Sequence, residues 1–146
     1  MAKQFKLQSV LNYRQLLENQ AQQALAASMQ RKTDLEAELQ QQQQSLAQHD
    51  AELKQRQQEG LTIAEIDLFE NRIQHARRIM AQLQQQLQQL ELQIDRERQE
   101  LLGAARDRQV IEKLKEKQDA EFRKEMNRKE REMLDEISLR NKGDNR

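Results

Sequence analysis

Residues 66 to 111 decide the fold of this chain, and they read IDLFENRIQHARRIMAQLQQQLQQLELQIDRERQELLGAARDRQVI. Apolar residues recur here at alternating spacings of three and four, the a/d pattern of a coiled coil, sustained over about six heptads. A helix with one narrow apolar stripe needs a partner helix to cover it. The seam positions are Ile66, Phe69, Ile73, Ala76, Met80, Leu83, Leu87, Leu90, Ile94, Glu97, Leu101, Ala104, Arg108 and Ile111.

A second seam with the same spacing runs through the first part of the chain. Several of its positions are charged or are Gln or His, so we expect it to be the lesser partner of the first seam. Near its start, Val10, Tyr13 and Leu17 lie beside the seam and widen the apolar face. The seam positions are Leu7, Leu11, Arg14, Glu18, Ala21, Leu25, Ser28, Lys32, Leu35, Leu39, Gln42, Leu46, His49 and Leu53.

The composition is typical of long helices rather than of a mixed globular domain. The 146 residues include no Pro and no Cys, 3% are aromatic and 34% are charged. Such a chain predicts one elongated all-α domain over residues 1–146, with no catalytic cleft, no cofactor and no disulfide. The formal net charge is zero, so no net field attracts nucleic acid or an anionic membrane. The first residues show no apolar run, which favours a cytoplasmic protein without direct membrane insertion.

A helix–turn–helix signal lies between the two seams. Gly60 suits the left-handed position that ends a helix, and Thr62 with Glu65 forms a capping-box pattern at the start of the next. Leu61 and Ile66 add the matching hydrophobic staple. The pattern predicts helix one over about 5–59, with Ser9 as a plausible N-cap, a turn at 60–62, helix two over about 63–140 and a frayed tail at 141–146.

A short turn forces the two helices to lie antiparallel. The predicted fold class is therefore a long antiparallel two-helix coiled coil, in which facing residue numbers add to about 119. Pairing then runs out near residue 115, leaving a C-terminal overhang of about 25 residues, or ~37 Å. The predicted facing pairs are Leu53 with Ile66, Leu46 with Ile73, Leu39 with Met80 and Leu25 with Ile94.

Polar residues on the seams favour structural roles over chemistry. His49 and His75 are the only histidines, and no second ligand stands at metal-site spacing, so neither a metal nor a catalytic site is expected. Arg14, Glu18 and Glu97 are expected to gather within a few layers, where they could pair and fix the register.

Residues 106 to 131 contain ten Lys and Arg, but seven Asp and Glu are interleaved with them. Phosphate recognition needs an unneutralised basic stripe, so nucleic-acid binding is disfavoured, and membrane-surface binding is a similarly weak alternative. The stripe of Leu114, Phe122, Met126, Met133 and Ile137 is better explained as a surface kept for another protein.

Four motifs, met in order along nearly the whole chain, resemble the FliJ family of flagellar export proteins. The resemblance implies an antiparallel coiled coil similar to the central stalk of rotary ATPases. It also implies work in the flagellar type III export apparatus, at the inner face of the cell membrane. The motifs are Phe5-Lys6-Leu7-Gln8-Ser9-Val10-Leu11-Asn12-Tyr13-Arg14, Gly60-Leu61 followed by Phe69, Lys113-Leu114-Lys115-Glu116-Lys117-Gln118, and Arg128-Lys129-Glu130-Arg131-Glu132-Met133-Leu134-Asp135-Glu136.

The same resemblance implies partners and residues that contact them. The end carrying both termini is implied to enter the pore of the hexameric export ATPase, and the remainder to contact the export-gate membrane protein and export chaperones. On the tip side the candidates are Phe69 and Arg72, the latter standing where some family members have a second aromatic. The candidates at the ATPase end are Leu7, Leu11, Tyr13, Arg14, Lys113, Leu114, Glu130 and Asp135, to which the unpaired stripe adds Phe122, Met126 and Met133.

The function expected from this reasoning is a non-enzymatic coupling and escort protein. Two alternatives stay open on the sequence. One is a structural coiled-coil spacer that self-associates through the same stripe, and the other is a weak nucleic-acid or membrane-surface binder that uses residues 106 to 131. Whether the isolated chain is a monomer or a dimer is also left open.

Overall fold

The computed structural model describes the backbone from Ala2 to Asp144 and the side chains from Lys6 to Gly143. Two antiparallel helices account for this range, α1 at Ala2–Glu59 and α2 at Ile63–Asp144, and no strand occurs within it. The predicted fold class, an all-α helical hairpin, is confirmed. The helices contribute to two compact units. We call residues Ala21–Leu101 the turn unit, and residues up to Gln20 together with those from Leu102 the terminal unit.

The turn of the hairpin consists of the three residues that the sequence indicates. Gly60 has φ = 97°, the left-handed conformation that ends α1. The Thr62 hydroxyl then accepts a hydrogen bond from the backbone N–H of Glu65 at 3.3 Å, which caps the start of α2. The Ile66 N–H donates to the Thr62 carbonyl at 3.1 Å and closes the first turn of that helix.

The seam lies on the predicted face of both helices. All fourteen seam positions derived for each helix are buried or half-buried. In the turn unit, Leu35 of α1 packs with Leu83, Leu90 and Ile94 of α2 in one buried cluster. The half-buried side chains packed against this cluster are Leu25, Leu39, Ile79 and Leu87.

The predicted register of the helices is wrong by about one helical turn. The helix ends Glu59 and Ile63 face each other across the turn, and their numbers add to 122 rather than 119. The predicted pairing of Leu53 with Ile66 did not allow for the three residues of the turn. Ion pairs between the helices show the correct alignment: the numbers add to 121 for Arg14 and Asp107, to 123 for Lys32 and Glu91, and to 126 for Glu18 and Arg108.

Both outer helix ends lie beyond the predicted boundaries. Helix α1 already begins at Ala2, so Ser9 lies within the helix and is not its N-cap. Helix α2 continues past residue 140 to Asp144. No Pro interrupts either end, and Lys142 in the last turn is favourable at the negative pole of the helix dipole. Residues 1, 145 and 146, the last two being part of the predicted frayed tail, lie outside the described residues.

Within the described range, neither helix contains a stretch long and apolar enough to cross a membrane.

We expect Ile73→Asp and Leu83→Asp each to lower the free energy of unfolding by about 3 kcal/mol or more, because each buries an unpaired carboxylate. Both side chains are buried on the seam, whereas Gln41 is exposed. The control Gln41→Asp should therefore change stability by only a few tenths of a kcal/mol. Urea unfolding followed by circular dichroism measures all three. Equal losses would mean that the seam lies on another face.

Two glycine substitutions should have opposite effects. A Cβ added at Gly103 meets no atom within 4 Å, so Gly103→Ala should stabilise α2 by about 0.5 to 1 kcal/mol through higher helix propensity. A Cβ at Gly60 also meets no atom, but its φ of 97° is strained for any other residue. Gly60→Ala should therefore cost about 1 to 2 kcal/mol. Thermal unfolding of both variants tests the pair, and stabilisation by both would refute the role of the turn conformation.

Candidate partner-binding surfaces

The N-terminal candidates on α1 divide between the seam and the surface. Leu11 is buried and Leu7 is half-buried, so both pack in the seam of the terminal unit. Tyr13 instead exposes 56% of its surface. Tyr13 is therefore accessible from outside the protein, whereas Leu11 is not.

Arg14 links the surface to the seam. Its guanidinium carbon lies 5.9 Å from the centre of the Tyr13 ring, a cation–π distance. One of its terminal nitrogens donates to Asp107 Oδ2 on α2 at 3.5 Å. Its Nε is buried without a hydrogen-bond partner among the described residues. The side chain is therefore held in place by contacts to both helices of the terminal unit.

Charged and polar side chains hold much of the seam of the terminal unit together. Arg108 Nε donates to Glu18 Oε2, and another Arg108 nitrogen donates to Glu112 Oε2 at 2.6 Å. Lys115 Nζ donates to Gln8 Oε1. These pairs were not predicted from the sequence, although opposite charges at facing seam positions would have indicated Glu18 with Arg108 once the register was correct.

The prediction that Arg14, Glu18 and Glu97 gather and pair with one another is wrong. Arg14 and Glu18 pair with α2 as described above. Glu97, in the turn unit, accepts hydrogen bonds at Oε1 from Ser28 Oγ at 2.9 Å and from Gln93 Nε2 at 2.8 Å. Its Oε2 is buried without a partner among the described residues. Each polar seam residue thus binds its own local partner.

His49 has a structural setting in the turn unit. The ring is half-buried on the seam, and its Nε2 lies 3.4 Å from the Ser45 hydroxyl one turn earlier. No group of three or more His, Cys, Asp or Glu side chains among the described residues could hold a metal ion.

The C-terminal candidates on α2 are all open to solvent. Lys113 and Leu114 are exposed, and from residue 121 to residue 143 every side chain is exposed. This last segment, which we call the overhang, carries Phe122, Met126 and Met133 as well as Glu130 and Asp135.

The apolar residues of the overhang share one face of the helix. At 100° per residue, Phe122, Met126, Met133 and Ile137 lie within about 60° of one another. Phe122 exposes 43% of its surface and Met133 exposes 63%. A helix of more than five turns therefore presents an apolar stripe that none of the described side chains covers.

On the tip side, Phe69 is covered by this protein's own side chains. The ring is buried, and the guanidinium carbons of Arg56 and Arg72 lie 5.7 and 5.9 Å from its centre. The two arginines therefore lie between the ring and the solvent. Arg56 was not among the residues predicted from the sequence, but its number adds to 125 with that of Phe69 and so matches the observed register.

The fold and these surfaces define a coiled-coil hairpin protein whose termini end presents exposed apolar and charged side chains. The family model described as flagellar FliJ protein matches residues 3–146, nearly the whole chain. The chain therefore belongs to the FliJ family, which gives it a role related to flagellar protein export. No curated protein matches the chain, and neither does any solved structure.

We expect the Glu18–Arg108 pair to stabilise the terminal unit more than an exposed pair can. Their side chains are only 15% and 24% exposed, so a double-mutant cycle with Glu18→Gln and Arg108→Gln should give a coupling energy of about 1 to 2 kcal/mol. The same cycle on Lys32 and Glu91, whose side chains are 37% and 58% exposed and whose charged atoms lie 3.8 Å apart, should give less than about 0.5 kcal/mol.

Hydrogen exchange of the backbone amides near Glu18, and near Lys32 for the control, measures the coupling locally in each unit. Equal coupling in the two cycles would show that burial does not distinguish these pairs.

Proposed function

We propose that this protein is a non-enzymatic coupling and escort component of the flagellar type III export apparatus. Its termini end enters the pore of the hexameric export ATPase, and the turn-side part contacts the export-gate membrane protein and export chaperones. The protein works in the cytoplasm at the flagellar base, peripherally associated with the inner face of the cell membrane. Family membership supports the export role, and the exposed surfaces support the assignment of partners.

The observation that carries this proposal is the uncovered overhang. Single exposed apolar residues are common on protein surfaces, but a continuous apolar stripe is usually kept for a partner. Here the stripe is presented by a helix that is exposed on all sides. A ring can surround such a helix and cover every face at once, whereas a flat surface would cover one face only.

The charged residues of the overhang suit the same environment. Lys124, Arg128 and Asp135 lie on the side of the helix opposite the apolar stripe, and Glu130 lies at its edge. Exposed charges tune the fit and the rate of association more than they supply affinity. Phe122, Met126 and Met133 would therefore provide most of the binding energy, with Glu130 and Asp135 setting orientation.

The terminal unit adds Tyr13, Lys113 and Leu114 to the ATPase end, because all three are exposed. On the turn side, Arg72 and Arg56 over the Phe69 ring form a small cationic surface. We assign this surface to the gate contact, with Phe69 as the base that positions the two arginines.

Removal of residues 119 to 146 should leave the hairpin folded, because all the predicted seam positions lie before residue 119. The melting temperature of the truncated chain should stay within a few degrees of the full chain, while stimulation of the export ATPase and flagellar export both fall. ATPase assays with the purified hexamer and motility assays measure the two effects. Full activation by the truncated chain would place the ATPase contact elsewhere.

A second variant tests the apolar stripe without shortening the helix. Phe122→Ser with Met126→Ser should reduce ATPase stimulation about as much as truncation does. Lys124→Ser on the opposite face is the matched control, and it should have a smaller effect because an exposed charge contributes little affinity. A spacer or tether without a role in the ATPase would show no loss with any of these variants.

A further inference from the structure

In the terminal unit, many of the large apolar side chains lie beside the seam rather than in it. The seam itself contains Arg14, Glu18 and Arg108, and Leu11 is its one buried apolar side chain among the described residues. Beside the seam stand five apolar residues, which we call the flank patch. They are Val10, Tyr13 and Leu17 from α1, and Val110 and Leu114 from α2.

These five residues lie on the same side of the helix pair. At 100° per residue, the three on α1 fall within about 60° of one another, and the two on α2 within about 40°. The Arg14 side chain joins the two groups, because it lies over the Tyr13 ring and also bonds to Asp107, which precedes Val110 by one turn.

The two groups also stand at the same level along the helices. The numbers of Tyr13 and Val110 add to 123, and those of Val10 and Leu114 add to 124. Both sums match the observed contacts between the helices. The flank patch therefore runs along the groove between α1 and α2.

The patch is open to solvent and its edge is basic. Tyr13, Val110 and Leu114 expose 56%, 58% and 47% of their surfaces. Going outward from Val110, the next positions on the helical wheel are Lys117, Arg106 and Lys113, all of which are exposed. The acidic residue nearest the seam on this side of α2, Asp107, is already paired with Arg14. This edge is cationic although the whole chain has no net charge.

We infer that the flank patch binds one amphipathic helix of a partner protein, which lies in the groove between α1 and α2 and completes a three-helix layer. The partner helix has an apolar stripe that covers Tyr13, Val110 and Leu114, with Asp and Glu along its edge that faces Lys113 and Lys117. An apolar centre with a charged edge is the pattern of helix-in-groove recognition.

A second copy of this chain fits the patch less well. Two flank patches brought face to face would oppose two basic edges, and juxtaposed like charges are unfavourable. Nucleic acid also fits poorly, because the centre of the patch is apolar and does not bind phosphate groups.

The inference rests on the proposed function only in that Tyr13, Lys113 and Leu114 were assigned to the ATPase end. Its test does not use the ATPase, so the two proposals can fail separately. The probe is a designed helical peptide of about six turns with a Leu stripe flanked by Glu. The matched probe carries Lys in place of every Glu. Fluorescence anisotropy with the full-length protein at low salt measures binding of both.

The Glu-flanked peptide should bind at least about tenfold more tightly than the Lys-flanked one, and added salt should reduce the difference. Val110→Glu should weaken binding of the Glu-flanked peptide by about tenfold or more. The control is Leu68→Glu, an exposed leucine on the same helix but in the turn unit, far along the helix from the flank patch. It should leave binding unchanged, and circular dichroism checks that both variants remain helical. Val110→Ser repeats the test without a new charge.

Four outcomes would overturn the inference. Equal binding of the two peptides would remove the role of the basic edge, and equal effects of Val110→Glu and Leu68→Glu would remove the role of the patch. A dimer seen by analytical ultracentrifugation that Val110→Glu dissociates would assign the patch to a second copy. Duplex DNA that displaces the Glu-flanked peptide would assign it to nucleic acid.

Discussion

The three-residue turn between α1 and α2 is the constraint on which the rest of the structure depends. Each helix carries an apolar stripe that must be covered, and a turn this short makes the neighbouring helix of the same chain the partner. The left-handed Gly60 ends one helix and the Thr62 hydroxyl begins the next within this span. Because both helices are regular, the turn fixes the register of every contact between them.

The two units differ in the kind of contact that stabilises their seams. In the turn unit, Leu35, Leu83, Leu90 and Ile94 form a buried cluster whose stabilisation comes from removing apolar surface from water. The terminal unit relies more on pairs such as Glu18 with Arg108, whose attraction is offset by desolvation. Many of its large apolar residues, Tyr13 among them, lie beside the seam. The segments that a protein uses for binding are often its less stable ones.

The sequence predicts the helical faces well because helix periodicity is a local property. Every residue assigned to a seam, including the poorly apolar Gln42 and His49, is buried or half-buried. The turn was also predictable from the sequence, because Gly60 and Thr62 are favoured at these positions for specific backbone reasons. The register of the two helices could not be predicted in the same way. A shift of a few residues, such as the one in the predicted pairing of Leu53 with Ile66, still brings apolar residues opposite each other.

The candidate contact residues were harder to predict than the fold. A family resemblance marks a position such as Leu11 or Phe69 without saying whether the side chain faces a partner or the neighbouring helix. The structure buries both. The exposure of Tyr13 and Leu114, and the two arginines over the Phe69 ring, depend on how the helices pack and are seen only in the folded structure. The outer helix ends were also missed, since no capping residue marks Ala2 and Gly143 does not break α2.

The contacts between α1 and α2 are nested around one turn. This arrangement limits the order in which the chain can fold during synthesis. Residues near Gly60 meet partners a few positions away, whereas Gln8 and Lys115 are separated by 107 residues. Closing the longer loops first would cost more chain entropy than extending pairing outward from the turn. The beginning of α1 therefore leaves the ribosome long before its partner in α2 exists. For most of translation, Val10, Leu11 and Tyr13 have no neighbouring helix, and any factor that binds nascent apolar segments meets them first.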